Sequence, residues 1–374
     1  MTYPSTASTL LGNIEHNLRG IRDRVGDRLV LAAVKANAYG HGAVEVSRMI
    51  ERTAAADWLG VATVGEGVQL REAEVTLPIL KLSPTRGLDE VTRAVAADLT
   101  LSVVDKASVD EAAAAAEALG LTDVAVHLKV DTGMRRVGVE PGEAAQLAAR
   151  IAASSQLRLQ GLFSHLPISD SPEGETFTHQ QIGLFAATVD EIEAVVGQVE
   201  LKHLANSGAV LGHPDAWFDL VRPGIIVYGS LPDPQAEPTL ELRPGLRLTT
   251  AVSFVKPLAA GETVGYGRTW TAERDTWIAT IPIGYGDGYS RLLSNRGRVL
   301  IGGTSYPIAG RVCMDQTMVD LGSEPVANVG DEVVLIGRSG TDEITVAEVA
   351  ELMGTIPYEV TCLFTPRVTR EFLA

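Results

Sequence analysis

The sequence predicts an α/β protein in two parts. Residues 1–238 are expected to form a parallel (β/α)8 barrel of the TIM type, and residues 239–374 a mainly antiparallel β domain, with the extreme N-terminus a candidate to pack on that second domain. Three observations carry this reading. From about residue 28 to 230, short apolar runs alternate with longer stretches of helical period. The alternation stops at Pro232-Asp233-Pro234-Gln235-Ala236-Glu237-Pro238, a proline-rich segment that reads as a linker. Beyond it come short β-type runs punctuated by glycine. At 374 residues the chain is about 2.5 times a typical domain, which favours two large units over one.

Eight candidate strands lie at 29–34, 58–63, 77–82, 100–103, 124–130, 157–163, 200–204 and 218–221. Strands of a parallel sheet are covered on both faces, so they read as continuous apolar runs, as Leu29-Val30-Leu31-Ala32-Ala33-Val34 does. Between the strands lie Ala- and Glu-rich segments such as 109–119, 143–153 and 177–196, each with apolar residues on one helical face. A doubly wound open sheet is the competing topology. In the second half, strands are expected at 247–255, 277–283, 298–301, 317–321 and 332–337, with one late helix over 346–353.

Composition narrows the function classes. Forty-seven acidic residues against 31 basic ones give a net charge of −16, which opposes sequence-independent attraction to nucleic acid or to anionic membranes. The two cysteines, Cys313 and Cys362, form no C-x-x-C pair, so no zinc ribbon or disulfide framework is indicated and a reducing cytoplasm is expected. The N-terminus lacks a basic region followed by an apolar core, and no window approaches the roughly 18 apolar residues of a membrane span. Motifs for nucleotide hydrolysis, zinc proteolysis, α/β-hydrolase chemistry and dinucleotide binding are absent, and no metal site is expected.

The informative place is the end of the first strand, where Lys35 follows six apolar residues. A lysine at the C-terminal mouth of a barrel is poorly hydrated, which lowers its pKa and suits its amine to Schiff-base chemistry; the alternative is a lysine that merely ends a strand. The stretch Val34-Lys35-Ala36-Asn37-Ala38-Tyr39-Gly40-His41-Gly42 resembles the pyridoxal-phosphate lysine motif of the alanine racemases. The resemblance spans nearly the full chain. It continues at Lys129-Val130-Asp131-Thr132-Gly133-Met134-Arg135-Arg136-Val137-Gly138, His203-Leu204-Ala205-Asn206-Ser207-Gly208-Ala209 and Val221-Arg222-Pro223-Gly224-Ile225. In the second half it runs through Val264-Gly265-Tyr266-Gly267, Ile283-Gly284-Tyr285-Gly286-Asp287-Gly288-Tyr289, Gly310-Arg311-Val312-Cys313-Met314-Asp315-Gln316 and Ile356-Pro357-Tyr358-Glu359-Val360. Eight strings in order are specific where one would be weak.

That resemblance implies pyridoxal 5'-phosphate bound as a covalent aldimine with Lys35, in a homodimer with shared sites. It implies a phosphate cradle of Tyr39, Ser207, Gly224, Ile225 and Tyr358. Ser207 and Gly224-Ile225 follow the seventh and eighth strands, where barrels bind phosphate with backbone amides. Arg222 is expected beside the ring nitrogen, where an ever-charged guanidinium opposes protonation and weakens the electron sink. His165 and His203, each ending a strand on the same mouth, would support it.

Racemisation needs two acid/base groups on opposite faces of the cofactor. The resemblance gives these roles to Lys35 and to Tyr266 of the other subunit; a phenol acts as a base only with cationic or hydrogen-bonding neighbours. Met314 would offer its backbone amide to the substrate carboxylate, with Asp315 behind it, and Arg136 would pair with that carboxylate. Lys129 matches a position often carried as a carbamylated lysine, an unmodified lysine being the alternative. Tyr285, with Tyr358, would form a narrow gate favouring alanine, and Asp287, Arg291 and Arg311 would line the entrance. Arg135 departs from the family in replacing a glycine beside Arg136, and Gly208 in following Ser207.

The leading expectation is therefore an enzyme interconverting L- and D-alanine and supplying D-alanine for peptidoglycan. The nearest rival is a racemase of broader specificity or for serine. Fold-related amino-acid decarboxylases use an acidic partner at the ring nitrogen, which Arg222 opposes. A cofactor carrier built on the barrel alone would not need the β domain.

Overall fold

The computed structural model describes residues 5–374. The first half is the expected barrel. Its eight parallel strands are Leu29–Ala33, Trp58–Val61, Ile79–Lys81, Thr100–Val103, Val124–Lys129, Leu157–Phe163, Leu201–His203 and Leu220–Val221. They neighbour one another in chain order, and the eighth returns to pair with the first at Leu29↔Leu220 and Val30↔Val221. A doubly wound sheet would reverse its order midway, so that topology is excluded. Backbone bonds from Asp219 to Lys202 (3.0 Å) and from Arg222 to Ala205 (2.9 Å) span the seventh and eighth strands and nearly close the ring.

Helices follow the strands and bury one apolar stripe each. Ala43–Thr53 buries Val46, Met49 and Ile50, and Pro141–Ala152 buries Ala144, Leu147, Ala148 and Ile151. Spacings of three and four place these side chains on one helical face. The expected strands at 77–82, 200–204 and 218–221 are shorter in the fold, as Ile79–Lys81, Leu201–His203 and Leu220–Val221.

The second half is a β assembly with its own apolar core, which includes Leu246, Leu248, Ile281, Val299, Val333 and Leu335. Its larger sheet runs Thr304–Pro307, Arg298–Ile301, Glu332–Ser339, Leu246–Ala251, Thr6–Leu10, Thr369–Leu373, with Asp342–Ile344 beside Glu332–Ser339. A three-stranded sheet comprises Phe254–Leu258, Thr276–Ile281 and Thr317–Gly322, and Thr263–Val264 pairs with Trp270–Thr271 in a two-stranded one. The run expected at 247–255 is thus two strands in different sheets, parted at Val252-Ser253. Thr6–Leu10 pairs antiparallel with Leu246–Ala251 and parallel with Thr369–Leu373, so the first and last strands of the described residues sit side by side in this sheet. The late helix is Val346–Met353, and a short helix, Pro357–Cys362, reaches back to the barrel mouth.

Candidate active site

The C-terminal mouth of the barrel encloses a cavity of about 590 Å³. Lys35, Tyr39, Lys129, Arg136, His165, Ser207, Arg222 and Gly224 line it from the barrel, and Tyr358 and Cys362 from Pro357–Cys362. The barrel residues, far apart in sequence, meet here because they end strands of the same parallel ring or lie in the segments that follow them.

Lys35 leads into an unusual segment. Ala36, Asn37, Ala38 and Tyr39 all have φ between 50 and 55°, a full turn of left-handed backbone. Such a conformation costs L-residues roughly 1–2 kcal/mol each, so the surroundings must impose it. Glu66 does so from the next strand-helix connection. Its carboxylate accepts from the backbone N–H of Ala36 (2.7 Å), Ala62 (2.8 Å) and Thr63 (3.0 Å), and Thr63 caps the helix in return. Asn37 contributes a second tie by accepting from the N–H of Ala43 at 2.8 Å. Gly40 ends the turn where the chain presses against the backbone of Thr361, leaving no room for a Cβ.

Burial lowers the pKa of Lys35, and the positive charge of Arg136 lowers it further; Glu66 pulls the other way, and Arg222 adds a weaker downward push. Lys129 is brought down to about 8 by burial, then by Arg222, Arg136 and Lys35. His165 is pushed well below its ordinary range by burial and by Arg222, so its imidazole is neutral.

Arg222 is buried and anchored by three hydrogen bonds, which leave two of its five N–H donors for a ligand. It donates to the carbonyls of Ser164 (2.6 Å) and Leu204 (3.0 Å) and to His203 Nδ1 (2.9 Å). A guanidinium only donates, so His203 must accept on Nδ1 and carry its proton on Nε2, which lies 2.9 Å from His127 Nδ1. Burial, with the Arg222 charge, holds His203 far below its usual pKa, so this pair stays uncharged behind the guanidinium. Phe163 stacks flat on His203, with ring centroids 4.9 Å apart and planes 3° apart, and fixes its orientation.

Ser207 begins a short helix capped by Asn206, and its hydroxyl accepts from the N–H of Gly224 at 2.8 Å. A Cβ on Gly224 would fall 2.6 Å from the Tyr39 hydroxyl, so only glycine leaves this cradle open. Ile225 opens the buried turn behind it. A phosphate fits such a concavity of small residues, hydroxyls and a helix N-terminus, and the low-pKa amine of Lys35 fits an aldehyde.

Other expected residues are not brought here by the chain itself. Tyr266, Met314 and Asp315 line a separate open cavity of about 720 Å³ in the β half. Tyr266 is 72% exposed and Met314 52% exposed, unusual for large side chains without a covering surface. Tyr285 is also exposed, whereas Asp287, assigned to the entrance, is buried; its carboxylate accepts from the N–H of Gly284 at 2.9 Å and pairs with Arg367 at 3.1 Å. Arg367 also pairs with Asp315 at 2.7 Å and so links the Asp287 turn to the Met314 loop. Arg291 lies in a one-turn helix, Arg291–Leu293, and Arg311 beside Gly265 and Gly267. Arg135 adopts φ 56°, which explains why a glycine suits this position; its side chain pairs with Glu140 at 2.6 Å.

Glu66, His127, Phe163 and Arg367 escaped the sequence reading. Only Glu66 left a signal, the capping pattern Thr63-Val64-Gly65-Glu66, and that pattern does not show its reach to Ala36.

Fold and site together have the form of a barrel enzyme, with a buried lysine and a phosphate-sized cradle at one mouth. The comparisons give the family. Residues 10–232 match the alanine racemase N-terminal domain and residues 245–372 the alanine racemase C-terminal domain. The chain is 50% identical over 367 residues to the alanine racemase of Cutibacterium acnes, covering 98% of this chain and 97% of that one. It is 40% identical to that of Treponema denticola, covering 97% and 96%. Among solved structures, alanine racemase from Streptomyces lavendulae superposes with a TM-score of 0.93 at 36% identity, covering 100% and 98%. That from E. faecalis gives 0.91 at 36% identity, with full coverage of both chains. The chain belongs to the alanine racemase family, pyridoxal-phosphate-dependent isomerases. No helix among the described residues is long and apolar enough to cross a membrane.

Proposed function

We propose that this chain interconverts L- and D-alanine in the cytoplasm, supplying D-alanine for peptidoglycan, as a homodimer with shared sites. The observation that carries this is the convergence in one cavity of Lys35, Arg222 and the Ser207-Gly224 cradle. In this reading residues 1–238 hold the cofactor, and residues 239–374 also serve the partner's site. Pyridoxal phosphate, when bound, supplies an electron-withdrawing ring that acidifies the substrate's α-proton.

The protein's own residues divide the remaining work. Lys35 holds the cofactor and, once free, moves the α-proton on one face; its lowered pKa makes the neutral amine available. Tyr266 of the partner subunit moves the proton on the other face. Arg222 donates toward the ring nitrogen and, backed by the uncharged His203, keeps it unprotonated, which moderates electron withdrawal and suppresses decarboxylation and transamination. Ser207, Gly224, Ile225, Tyr39 and Tyr358 hold the phosphate, with His165 beside the cofactor. Arg136 and the Met314 amide orient the substrate carboxylate, and Tyr285 with Tyr358 limits side-chain size. Asp315 supports the Met314 loop, and Arg291 and Arg311 flank the approach.

Circular dichroism of racemisation with alanine, serine, valine and lysine tests the assignment. Alanine should turn over fastest, and borohydride should fix the cofactor on Lys35 and abolish activity. Equal turnover of serine would favour the broader-specificity reading, and racemisation by cofactor-free protein would reject the scheme.

A further inference from the structure

A second constellation lies outside the cavity. Glu175 and His179 occupy positions i and i+4 at the start of the helix Glu175–Val196, so both project from one face. His213 follows the short helix Ser207–Gly212, and Asp215 lies in the next turn. His179 Nε2 is 2.9 Å from Glu175 Oε1, and His213 Nε2 is 3.9 Å from Glu175 Oε2. One ligand atom from each of the three lies within 4.8 Å of those of the others. Ligands of a tetrahedral ion with bonds of about 2.1 Å sit roughly 3.4 Å apart, so small side-chain rotations would close the set.

We propose that Glu175, His179 and His213 form a divalent transition-metal site, with Zn²⁺ the ion their chemistry suits best. Two imidazoles and one carboxylate are a donor set for zinc, with the fourth position left to water. Two further features separate this cluster from an ordinary surface ion pair. Asp215 Oδ2 lies 3.2 Å from His179 Nδ1, the outer-sphere carboxylate that orients a ligating histidine and leaves Nε2 for the metal. His213 is buried, yet its Nε2 faces Glu175 from beyond hydrogen-bonding distance, which suits an ion between them better than a direct bond. Asp170 and Glu237 line the adjoining depression with Glu175 and His213 and add to the local negative field.

The ion takes the place of the proton shared by His179 and Glu175, so binding releases a proton to solvent. It ties the C-terminal end of the Ser207 helix to the long helix behind it. The site therefore fastens an element of the cofactor cradle without touching the reacting atoms.

Untagged holoenzyme stripped with chelator is titrated with Zn²⁺ by equilibrium dialysis and calorimetry, with Co²⁺ absorbance reporting imidazole coordination. Wild type should bind one equivalent per chain. His179→Ala and His213→Ala should each weaken binding by about tenfold or more, and Asp215→Asn by about tenfold. His213→Gln keeps the volume if the alanine variant misfolds, and cofactor absorbance verifies the fold of each protein. No saturable stoichiometric binding, or equal binding by folded variants lacking either histidine, overturns the proposal.

Discussion

Lys129 shows how position sets the chemistry of a single side chain. Its amine ends the fifth barrel strand, 5.3 Å from the ring centroid of Phe163, among Lys35, Arg136 and Arg222, with Asp131 the opposing charge. Burial first, and these cations next, bring it to about 8. A carbamate forms only from the neutral amine, which gains carbon dioxide and loses a proton. At fixed dissolved carbon dioxide, the carbamate on Lys129 should therefore rise as pH climbs through about 8 and fall below it. Carbon NMR of protein equilibrated with labelled carbon dioxide measures this, and a signal flat with pH, or unchanged in Lys129→Met, would refute it. A negative group here would sit beside Arg136 and relieve the crowding of cations. Sequence alone named Lys129 and Arg136 by resemblance, but the excess of positive charge is a property of the assembled mouth.

At the scale of elements, the segment after Lys35 is the costly one. Four successive left-handed residues, three of them without glycine's or asparagine's tolerance for that conformation, direct the lysine side chain into the mouth. Glu66 ties the start of this turn through a charge-assisted bond from the N–H of Ala36, while the N–H groups of Ala62 and Thr63 hold its carboxylate in place. Removing it leaves these solvent-accessible donors to water, so Glu66→Ala should lower stability by about 1–2 kcal/mol, read from denaturant midpoints. If Glu66 positions Lys35, the variant should also slow the borohydride-trappable attachment of pyridoxal phosphate, whereas a purely structural role would leave that rate unchanged in the fraction still folded. Glu66→Gln, which keeps one acceptor, should recover part of both losses. The left-handed turn was illegible in Ala36-Asn37-Ala38-Tyr39, since alanine and tyrosine prefer other backbone regions. It exists because Glu66, Asn37 and the packing of Gly40 on Thr361 outweigh local preference.

For the whole molecule, the separation of Tyr266 and Met314 from the Lys35 cavity is the decisive feature. A symmetric dimer in which each β half meets its partner's barrel would cover these exposed side chains and bring a second acid/base group to each mouth. Mixing Lys35→Ala with Tyr266→Ala subunits tests it. Each hybrid would hold one intact site, so free exchange of equal amounts should restore about a quarter of wild-type activity. No recovery despite verified exchange would place both groups in one chain's site. The sequence by itself determined the class: parallel strands recorded themselves as apolar runs, Lys35 as a lysine ending one of them, and the family as eight ordered motifs. Boundaries were less legible, as at 247–255, where one apolar run serves two sheets. Only tertiary structure decided that Glu66 reaches Ala36, that His127 backs His203, that Asp287 is buried, and that Thr6–Leu10 and Thr369–Leu373 share a sheet. Apolar periodicity is local and repeats along the chain, whereas hydrogen bonds, burial and electric fields depend on distances through space that no short stretch of sequence encodes.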